Sequence, residues 1–181
     1  EIDAMEQTAE GNPLRLAERR TLSFSRRKLV MGSTPTYEGT SNVLRLYGES
    51  DRRIFEVACP SCGAFFELLW RHIEWEPDRP ETAHAVCPHC EDRIDEAHKG
   101  EMVQAGTWTP TAPEVEGHHG YRLNALVSPL ANAAWPRLVA EFLASKHDPA
   151  LLQPFVNTIL AEGWREVENR LDEHELASRA E

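Results

Sequence analysis

The chain has 181 residues, of which 41% are hydrophobic and 27% are charged. These values match ordinary globular domains, so they exclude collagen-like and wholly disordered chains and allow one medium-sized domain or two small ones. The net charge of −11 makes the overall surface repel polyanions, and nucleic-acid binding would therefore need a local cluster of Lys and Arg. One such cluster lies between Arg15 and Lys28, and we interpret it as a solvated helix face followed by a basic pair.

The sequence contains no apolar run near the roughly 18 uninterrupted residues that a membrane span requires. Its first residues, EIDAMEQTAEG, have neither the charged n-region nor the apolar h-region of a signal peptide. We therefore predict a soluble protein that stays in the cytoplasm and makes no contact with membranes.

The first fifty residues predict two helices and one buried strand. Asn12 followed by Pro13 is typical of an N-cap and the first residue of a helix. The apolar residues 28–32 predict a short buried strand, and a second helix is predicted over residues 42–47. Three hydroxyl side chains follow the strand, on Ser33, Thr34 and Thr36. Open α/β sheets usually have their functional residues at the C-terminal ends of strands, so this loop is a candidate site.

The middle of the chain predicts a β-rich unit. Residues 53–58 and 64–70 are rich in β-formers and flank the first cysteine pair with the spacing of a hairpin. Residues 75–80 contain two prolines and mixed charges, so we expect a loop there. A short strand over residues 84–86 should lead into the second cysteine pair.

The last third predicts helices with a polar connector before them. Asp95 should cap a helix over residues 96–105, and residues 111–119 form a polar connector with two histidines. Apolar side chains recur at helical spacing from Trp135 to Lys146 and again from Leu151 to Leu160, which predicts two amphipathic helices. Pro154 should either begin the second of these helices or kink it.

All four cysteines fall in two copies of a Cys-Pro-x-Cys motif, formed by Cys59, Cys62, Cys87 and Cys90. Two residues between ligands let a tight turn direct both sulfurs at one tetrahedral ion, and two such turns complete a four-thiolate shell. Zinc is favoured over an iron–sulfur cluster because the motifs lie on hairpins. A shell of four thiolates leaves no position for water, so the predicted zinc is structural, and nearby His84 and His89 lie outside it. Two disulfides or a redox-active pair are the alternatives.

The order of the motifs resembles the GpA-type large subunit of tailed-phage terminases. The matching stretches are RRKLVMGSTPT at 26–36, EGTS at 38–41, the two cysteine motifs, ID at 94–95, GYRLNAL at 120–126, FVNT at 155–158 and GW at 163–164. Each stretch is weak evidence alone, whereas their order along nearly the whole chain is specific.

The resemblance implies an α+β chain in three parts. Residues 1–50 would be the truncated end of a P-loop (ASCE) α/β core, residues 51–95 a zinc ribbon, and residues 96–181 a mixed connector whose amphipathic helices lead toward a nuclease domain. The family couples ATP hydrolysis to pumping DNA into a procapsid and cuts concatemers with its nuclease. The sequence contains no Gly-x-x-x-x-Gly-Lys-Ser/Thr, so ATP and Mg²⁺ would bind only in the full-length protein, and this piece alone should be inactive.

The resemblance also assigns roles to particular residues. Glu1 would be the catalytic carboxylate that orients the attacking water, and Ser33, Thr34 and Thr36 would form the motif that couples hydrolysis to movement. The implied partners are double-stranded DNA, the small terminase subunit and the portal or procapsid, in the cytoplasm of a bacterial host.

The main alternative is a non-enzymatic zinc-ribbon adaptor that binds protein or nucleic acid. The surroundings of residues 28–32 separate the two hypotheses. A strand covered on both sides would favour the adaptor, whereas a run without neighbours would favour the truncated motor.

Overall fold

The computed structural model describes residues 2–5 and 9–165. The helices are α1 (Pro13–Arg20), α2 (Asn42–Gly48), α3 (Lys99–Gln104), α4 (Trp135–Ser145) and α5 (Pro149–Pro154), which continues as a π-helix over Phe155–Ile159. The strands are β1 (Arg53–Ala58), β2 (Phe65–Glu67), β3 (Ile73–Glu76), β4 (Arg79–Val86), β5 (Arg93–Ile94), β6 (Thr107–Pro110) and β7 (Tyr121–Arg122). This mixture of helices and two small sheets confirms the α+β class. None of the helices in the described part is long and apolar enough to cross a membrane.

The first two helices begin at the predicted caps. The side chain of Asn12 accepts hydrogen bonds from the backbone N–H of Leu14 at 2.9 Å and of Arg15 at 3.3 Å, and Pro13 occupies the first turn of α1. Ser41 accepts from the Leu44 N–H at 3.2 Å at the start of α2. Each cap satisfies backbone donors that a helix leaves unpaired, so a local signal was sufficient to locate both helices.

The predicted strand over residues 28–32 is not formed in the structure. These residues have no regular secondary structure and pair with no strand of the described part, and Val30 is 96% exposed. Leu29 is also exposed, at 42%. The apolar composition predicted a buried strand, but a strand requires a row of backbone hydrogen bonds to a neighbour, and the described residues supply one such bond here, from the Ile2 N–H to Gly32 O at 3.4 Å.

The first sheet is built around β1. β2 and β6 pair with β1 in antiparallel directions, and β7 pairs with it in parallel over two residues. The β1–β2 register places Ala58 opposite Phe65, so the first cysteine motif occupies the hairpin turn as predicted.

The second sheet has the order β3–β4–β5, with antiparallel pairing throughout. The prediction of a loop over residues 75–80 is wrong, because Glu76 and Arg79 pair across a hairpin whose turn contains Asp78 in the left-handed region, at φ 58°. Asp tolerates that conformation better than most residues. Pro80 is accommodated because β5 pairs only with the far end of β4, at Ala85 and Val86.

One core joins the sheets to α4. Its members include Val57, Phe66, Leu68, Ile73, Ala85, Ile94, Leu126, Trp135, Leu138 and Val139. Trp135 is fully buried, and its indole N–H donates to the Leu126 carbonyl at 2.9 Å. Residues from the predicted ribbon and from the predicted connector therefore stabilise each other within one hydrophobic cluster.

Two predicted helices differ from expectation in their details. The segment that starts at Glu96 opens with a 3₁₀ turn before α3, and Asp95 bonds the Arg93 side chain at 2.9 Å instead of capping. Pro149 begins α5, capped by Asp148, whereas Pro154 lies inside the helix, where the chain changes from α to π. Proline has no N–H and crowds the preceding turn, so the wider π-turn is the form that the predicted kink takes.

Candidate functional site

The four cysteine sulfurs meet at one point between the two sheets. Sγ of Cys59 lies 3.8 Å from Sγ of Cys90, Sγ of Cys62 lies 3.8 Å from Sγ of Cys87, and all four lie within 4.8 Å of one another. Four sulfurs at ~2.3 Å from a tetrahedral metal ion are ~3.8 Å apart, so the cluster has the dimensions of a four-thiolate metal site. The structure thus brings together all four predicted ligands.

The two cysteine turns have the same backbone geometry. In the first, Cys59 N donates to Ala64 O and Gly63 N donates to Cys59 O, both at 2.9 Å. In the second, Cys87 N donates to Asp92 O at 3.1 Å and Glu91 N donates to Cys87 O at 2.9 Å.

The residue after each second cysteine is left-handed. The φ angle is 72° at Gly63 and 62° at Glu91. This reversal lets each chain return as a strand while both sulfurs of the pair face the same side, so a local turn holds each half of the site.

The thiols of Cys59 and Cys90 differ in pKa. Burial acts to raise the pKa of Cys59, but backbone N–H groups of Cys62 and Ser61 lower it to about 7. The Asp92 N–H acts to lower the pKa of Cys90, but burial and the neighbouring thiols raise it to about 12. Four adjacent thiolates repel one another, and a bound cation removes that penalty.

The two histidines near the second motif are engaged elsewhere. Nδ1 of His84 lies 2.9 Å from the Thr82 carbonyl, and Nε2 of His89 lies 3.3 Å from the Phe65 carbonyl. Among the described residues, the metal-sized group contains the four cysteines and neither histidine.

A second cluster forms around the carboxylate of Asp3, at the predicted hydroxyl motif. One Asp3 oxygen accepts from the N–H and hydroxyl of Thr36, each at 3.2 Å, and from the Ser41 hydroxyl. The other oxygen accepts from the Val43 N–H at 2.9 Å. Ser33 joins the cluster, because its hydroxyl accepts from the Asp3 N–H at 3.2 Å. These donors tie the N-terminal segment to the loop and to the start of α2.

Sequence reasoning missed Asp3, although it found its neighbours. Asp3 lies two residues after the predicted catalytic Glu1, which falls outside the described residues. An acid near a hydroxyl loop is common in any sequence, so only the distance between residues 3 and 36 in space identifies this carboxylate as the centre of the cluster.

A cleft of about 250 Å³ separates this cluster from α5 and the π-helix. One wall contains Asp3, Thr34 and Thr36, and the other contains Gln153 and Asn157. The cleft therefore joins the predicted hydroxyl motif to the FVNT stretch.

Beyond the π-helix the chain docks on the segment that follows the hydroxyl motif. Trp164 N donates to Thr36 O at 2.8 Å, and Glu38 N donates to Trp164 O at 3.0 Å. Arg165 forms an ion pair with Glu38. A short parallel bridge thus fixes residues 163–165 against residues 36–38.

Models of two protein domains match consecutive parts of the chain. A sequence model of the ATPase domain of the phage terminase large subunit gpA matches residues 1–108. The chain belongs to the GpA family of phage terminase large subunits. A second model, of the endonuclease domain of gpA, matches residues 118–181. The nuclease match therefore begins inside the stretch that we expected to be a connector.

Two terminase large subunits illustrate the relationship. The one from Escherichia phage lambda is 28% identical over 201 residues, covering 99% of this chain and 31% of the relative. The one from Enterobacteria phage P21 is 26% identical over 191 residues, covering 92% of this chain and 29% of the relative. The chain thus spans less than a third of the length of either. No solved structure matches it significantly.

Asp51 links the two matched regions of this terminase chain. Its Oδ2 lies 2.8 Å from Arg53 Nε and 2.7 Å from His119 Nδ1, and its Oδ1 accepts from the Gly120 N–H at 3.1 Å. Burial acts to raise the pKa of Asp51, but the bonds from His119, Arg53 and Gly120 lower it to about 2. The sequence alone assigned no role to His119, because its partner, Asp51, lies far away in sequence.

Proposed function

We propose that this chain is part of a DNA-packaging motor that hydrolyses ATP to translocate double-stranded DNA and cuts concatemers with a nuclease. The observation on which the proposal depends most is the hydroxyl motif assembled around Asp3, next to the position of Glu1. In the proposed mechanism Glu1 orients the attacking water, and Ser33, Thr34 and Thr36 respond to the state of the nucleotide.

The hydrogen-bonded cluster suits a coupling role. Hydroxyl groups exchange partners by rotating about one bond, so small changes near Glu1 can alter which acceptors they use. Asp3 connects that motif to the start of α2, which gives such a change a route into the fold. Residues upstream of this chain would hold the nucleotide phosphates and Mg²⁺, since the sequence has no phosphate-binding loop of its own.

We further propose that the four cysteines hold structural zinc. Four thiolates fill a tetrahedral shell and leave no position for a reacting water, so the metal stabilises the fold instead of performing chemistry. The division proposed is an ATPase end at residues 1–50, a zinc ribbon at 51–95 and a segment at 96–181 that leads into the nuclease. The similarity of residues 118–181 to the nuclease domain supports an early start for that last part.

The isolated state of residues 28–32 supports the motor over an adaptor. An adaptor should complete its own core, whereas these apolar residues lack a strand neighbour in the described part of the chain. In a longer protein they would pair within the ATPase core. The proposed partners are double-stranded DNA, the small terminase subunit and the portal or procapsid, in the host cytoplasm.

The full-length protein tests this function. Changing Glu1→Gln should lower the turnover number for ATP hydrolysis by about 10²- to 10⁴-fold and leave ATP binding intact, because the amide cannot act as a base. Glu10→Gln, an exposed carboxylate in the same segment, is the matched control and should leave turnover unchanged. Unchanged turnover in Glu1→Gln with normal ATP binding would contradict the assignment.

A further inference from the structure

Asn157 is a buried polar residue whose hydrogen bonding is incomplete. The residue is only 8% exposed, and its Oδ1 has no hydrogen-bond partner among the described residues. Buried amide oxygens in folded proteins are nearly always paired, because an unpaired one loses its bond to water and gains nothing in return. An unpaired buried oxygen of this kind needs a physical explanation.

The backbone around Asn157 is also unusual. The residue lies at the centre of the π-helix Phe155–Ile159, where Leu160 N donates to Phe155 O at 3.3 Å. A π-turn is less favourable than an α-turn and is frequent at functional sites. Pro154 accounts for where it starts, and Asn157 and Thr158 are the π-helix residues that line the cleft.

The cleft that Asn157 lines has the hydroxyl motif on its opposite wall. Thr34 and Thr36 belong to that wall, together with Asp3. The Asp3 carboxylate already accepts four hydrogen bonds. The threonine hydroxyls are therefore the groups in this wall whose hydrogen-bond partners can change. A hydrogen bond from one of these hydroxyls would pair Oδ1 of Asn157 if the two walls of the cleft approached each other.

We propose that Asn157 is a positioning residue of the motor, whose side-chain oxygen accepts a hydrogen bond from a threonine of the hydroxyl motif in one state of the ATPase cycle and loses it in another. The π-helix then moves together with the hydroxyl motif. The docked segment 163–165, which leaves the π-helix and pairs with residues 36–38, passes the change toward the nuclease side. This inference rests on the proposed motor function.

Substitutions of Asn157 distinguish a positioning role from a purely structural one. Leucine has the branched shape of asparagine and carries no polar atom, so Asn157→Leu removes the unpaired oxygen, although leucine is the larger residue. Asn157→Gln also adds volume but keeps the amide oxygen, so it controls for the size of the side chain. Asn132, an exposed residue in the Ala131–Ala133 turn, gives the matched control Asn132→Ala.

The experiment uses the full-length protein with the small terminase subunit, procapsids, ATP and linear double-stranded DNA. We expect Asn157→Leu to reduce ATP-driven DNA translocation by roughly five- to tenfold, while its KM for ATP and its ATP-independent DNA cleavage stay within about twofold of the parent protein. Asn157→Gln should translocate DNA faster than Asn157→Leu, and Asn132→Ala should match the parent rate.

The outcomes distinguish the two hypotheses. If the parent protein neither hydrolyses ATP nor moves DNA, the motor function fails and this inference fails with it. If the parent is active and Asn157→Leu translocates DNA equally well, only the role of Asn157 is overturned. If Asn157→Leu and Asn157→Gln lose translocation equally, the added volume and not the missing oxygen is responsible, and the role of Asn157 is also overturned.

Discussion

Single residues that contact distant parts of the chain hold the two matched regions of this terminase together. Asp51 is the clearest case, because its buried carboxylate contacts Arg53 at the start of β1, and His119 and Gly120 from a segment far along the chain. The backbone adds two more bonds at the same place, from Asp51 N to His118 O and from Arg53 N to Gly120 O. A residue with these contacts should influence stability more than its exposed neighbours do.

Acidification should weaken this joint in a defined range of pH. The pKa of Asp51 is about 2 in the folded chain against an ordinary value of 3.8. A lowered folded-state pKa stabilises the fold fully above the unfolded pKa, and that stabilisation is lost as the pH falls from about 4 toward about 2. Urea unfolding from pH 7 to pH 3 should therefore show Asp51→Asn less stable than the parent at neutral pH, with the difference shrinking below pH 4.

Glu49→Gln is the control for this prediction, since the Glu49 side chain is 54% exposed and pairs only with Arg45. Both variants keep the four cysteines, so acid release of a metal affects them equally. A difference between Asp51→Asn and the parent that stays constant down to pH 3 would contradict the lowered pKa.

At the scale of elements, two hairpin turns with the same hydrogen-bond pattern bring the four cysteines together as a candidate metal site. β1 and β2 hold one cysteine turn, and β4 and β5 hold the other. The core beneath them contains Trp135 of α4. Loss of the metal should therefore disturb α4 as well as the two sheets.

Metal removal tests the site. The purified chain should contain about one zinc ion, whose binding free energy of ~10–16 kcal/mol is folding free energy in such sites. A chelator at pH 7 should abolish the cooperative unfolding transition and change the fluorescence of the buried Trp135. Cys62→Ser should behave like the chelated chain, because serine does not form a soft anionic ligand at this pH.

Ser61→Ala changes the neighbouring residue in the same turn and should keep both zinc and the transition. A purified chain without bound metal, folded equally well in the presence of a chelator, would show that the sulfur cluster is not a zinc site.

At the scale of the whole molecule, the regions similar to the ATPase and nuclease domains are interleaved. β7 comes from the nuclease-like region and pairs with β1 of the ATPase-like region. The docked segment 163–165 returns to residues 36–38, near the hydroxyl motif. Residues 36–38 of the ATPase-like region therefore contact the nuclease-like region directly.

The close approach at Gly163 allows a test of this docking. A Cβ there would lie 2.7 Å from the Glu38 Cα and 2.7 Å from Leu44 Cδ1, so Gly163→Val should displace the segment. We expect hydrogen exchange of the Trp164 N–H to accelerate by roughly ten- to hundredfold, the equivalent of the ~1–3 kcal/mol that overpacking costs.

Gly100→Ala in α3 is the matched control, because a Cβ at Gly100 meets nothing within 4 Å. Its Trp164 exchange should equal that of the parent. Equal exchange in Gly163→Val would show that the segment does not depend on this contact.

The sequence by itself determined what short-range chemistry decides. Each Cys-Pro-x-Cys turn and the caps at Asn12 and Ser41 are local patterns, because the atoms that interact lie within a few residues of each other. The order of the motifs indicated the family, and the spacing of the cysteines predicted a metal site. The strand predicted over residues 28–32 was wrong because pairing is not a local property.

Only the tertiary structure decided the rest. Asp3, Asp51 and Asn157 are ordinary polar residues in sequence, and their importance comes from partners, or a missing partner, supplied by remote segments. Burial and hydrogen bonding across such separations depend on how the chain closes on itself, which no local pattern contains. The cysteine cluster could be found from the sequence, whereas the centre of the hydroxyl motif at Asp3 and the contacts of Asp51 required the fold.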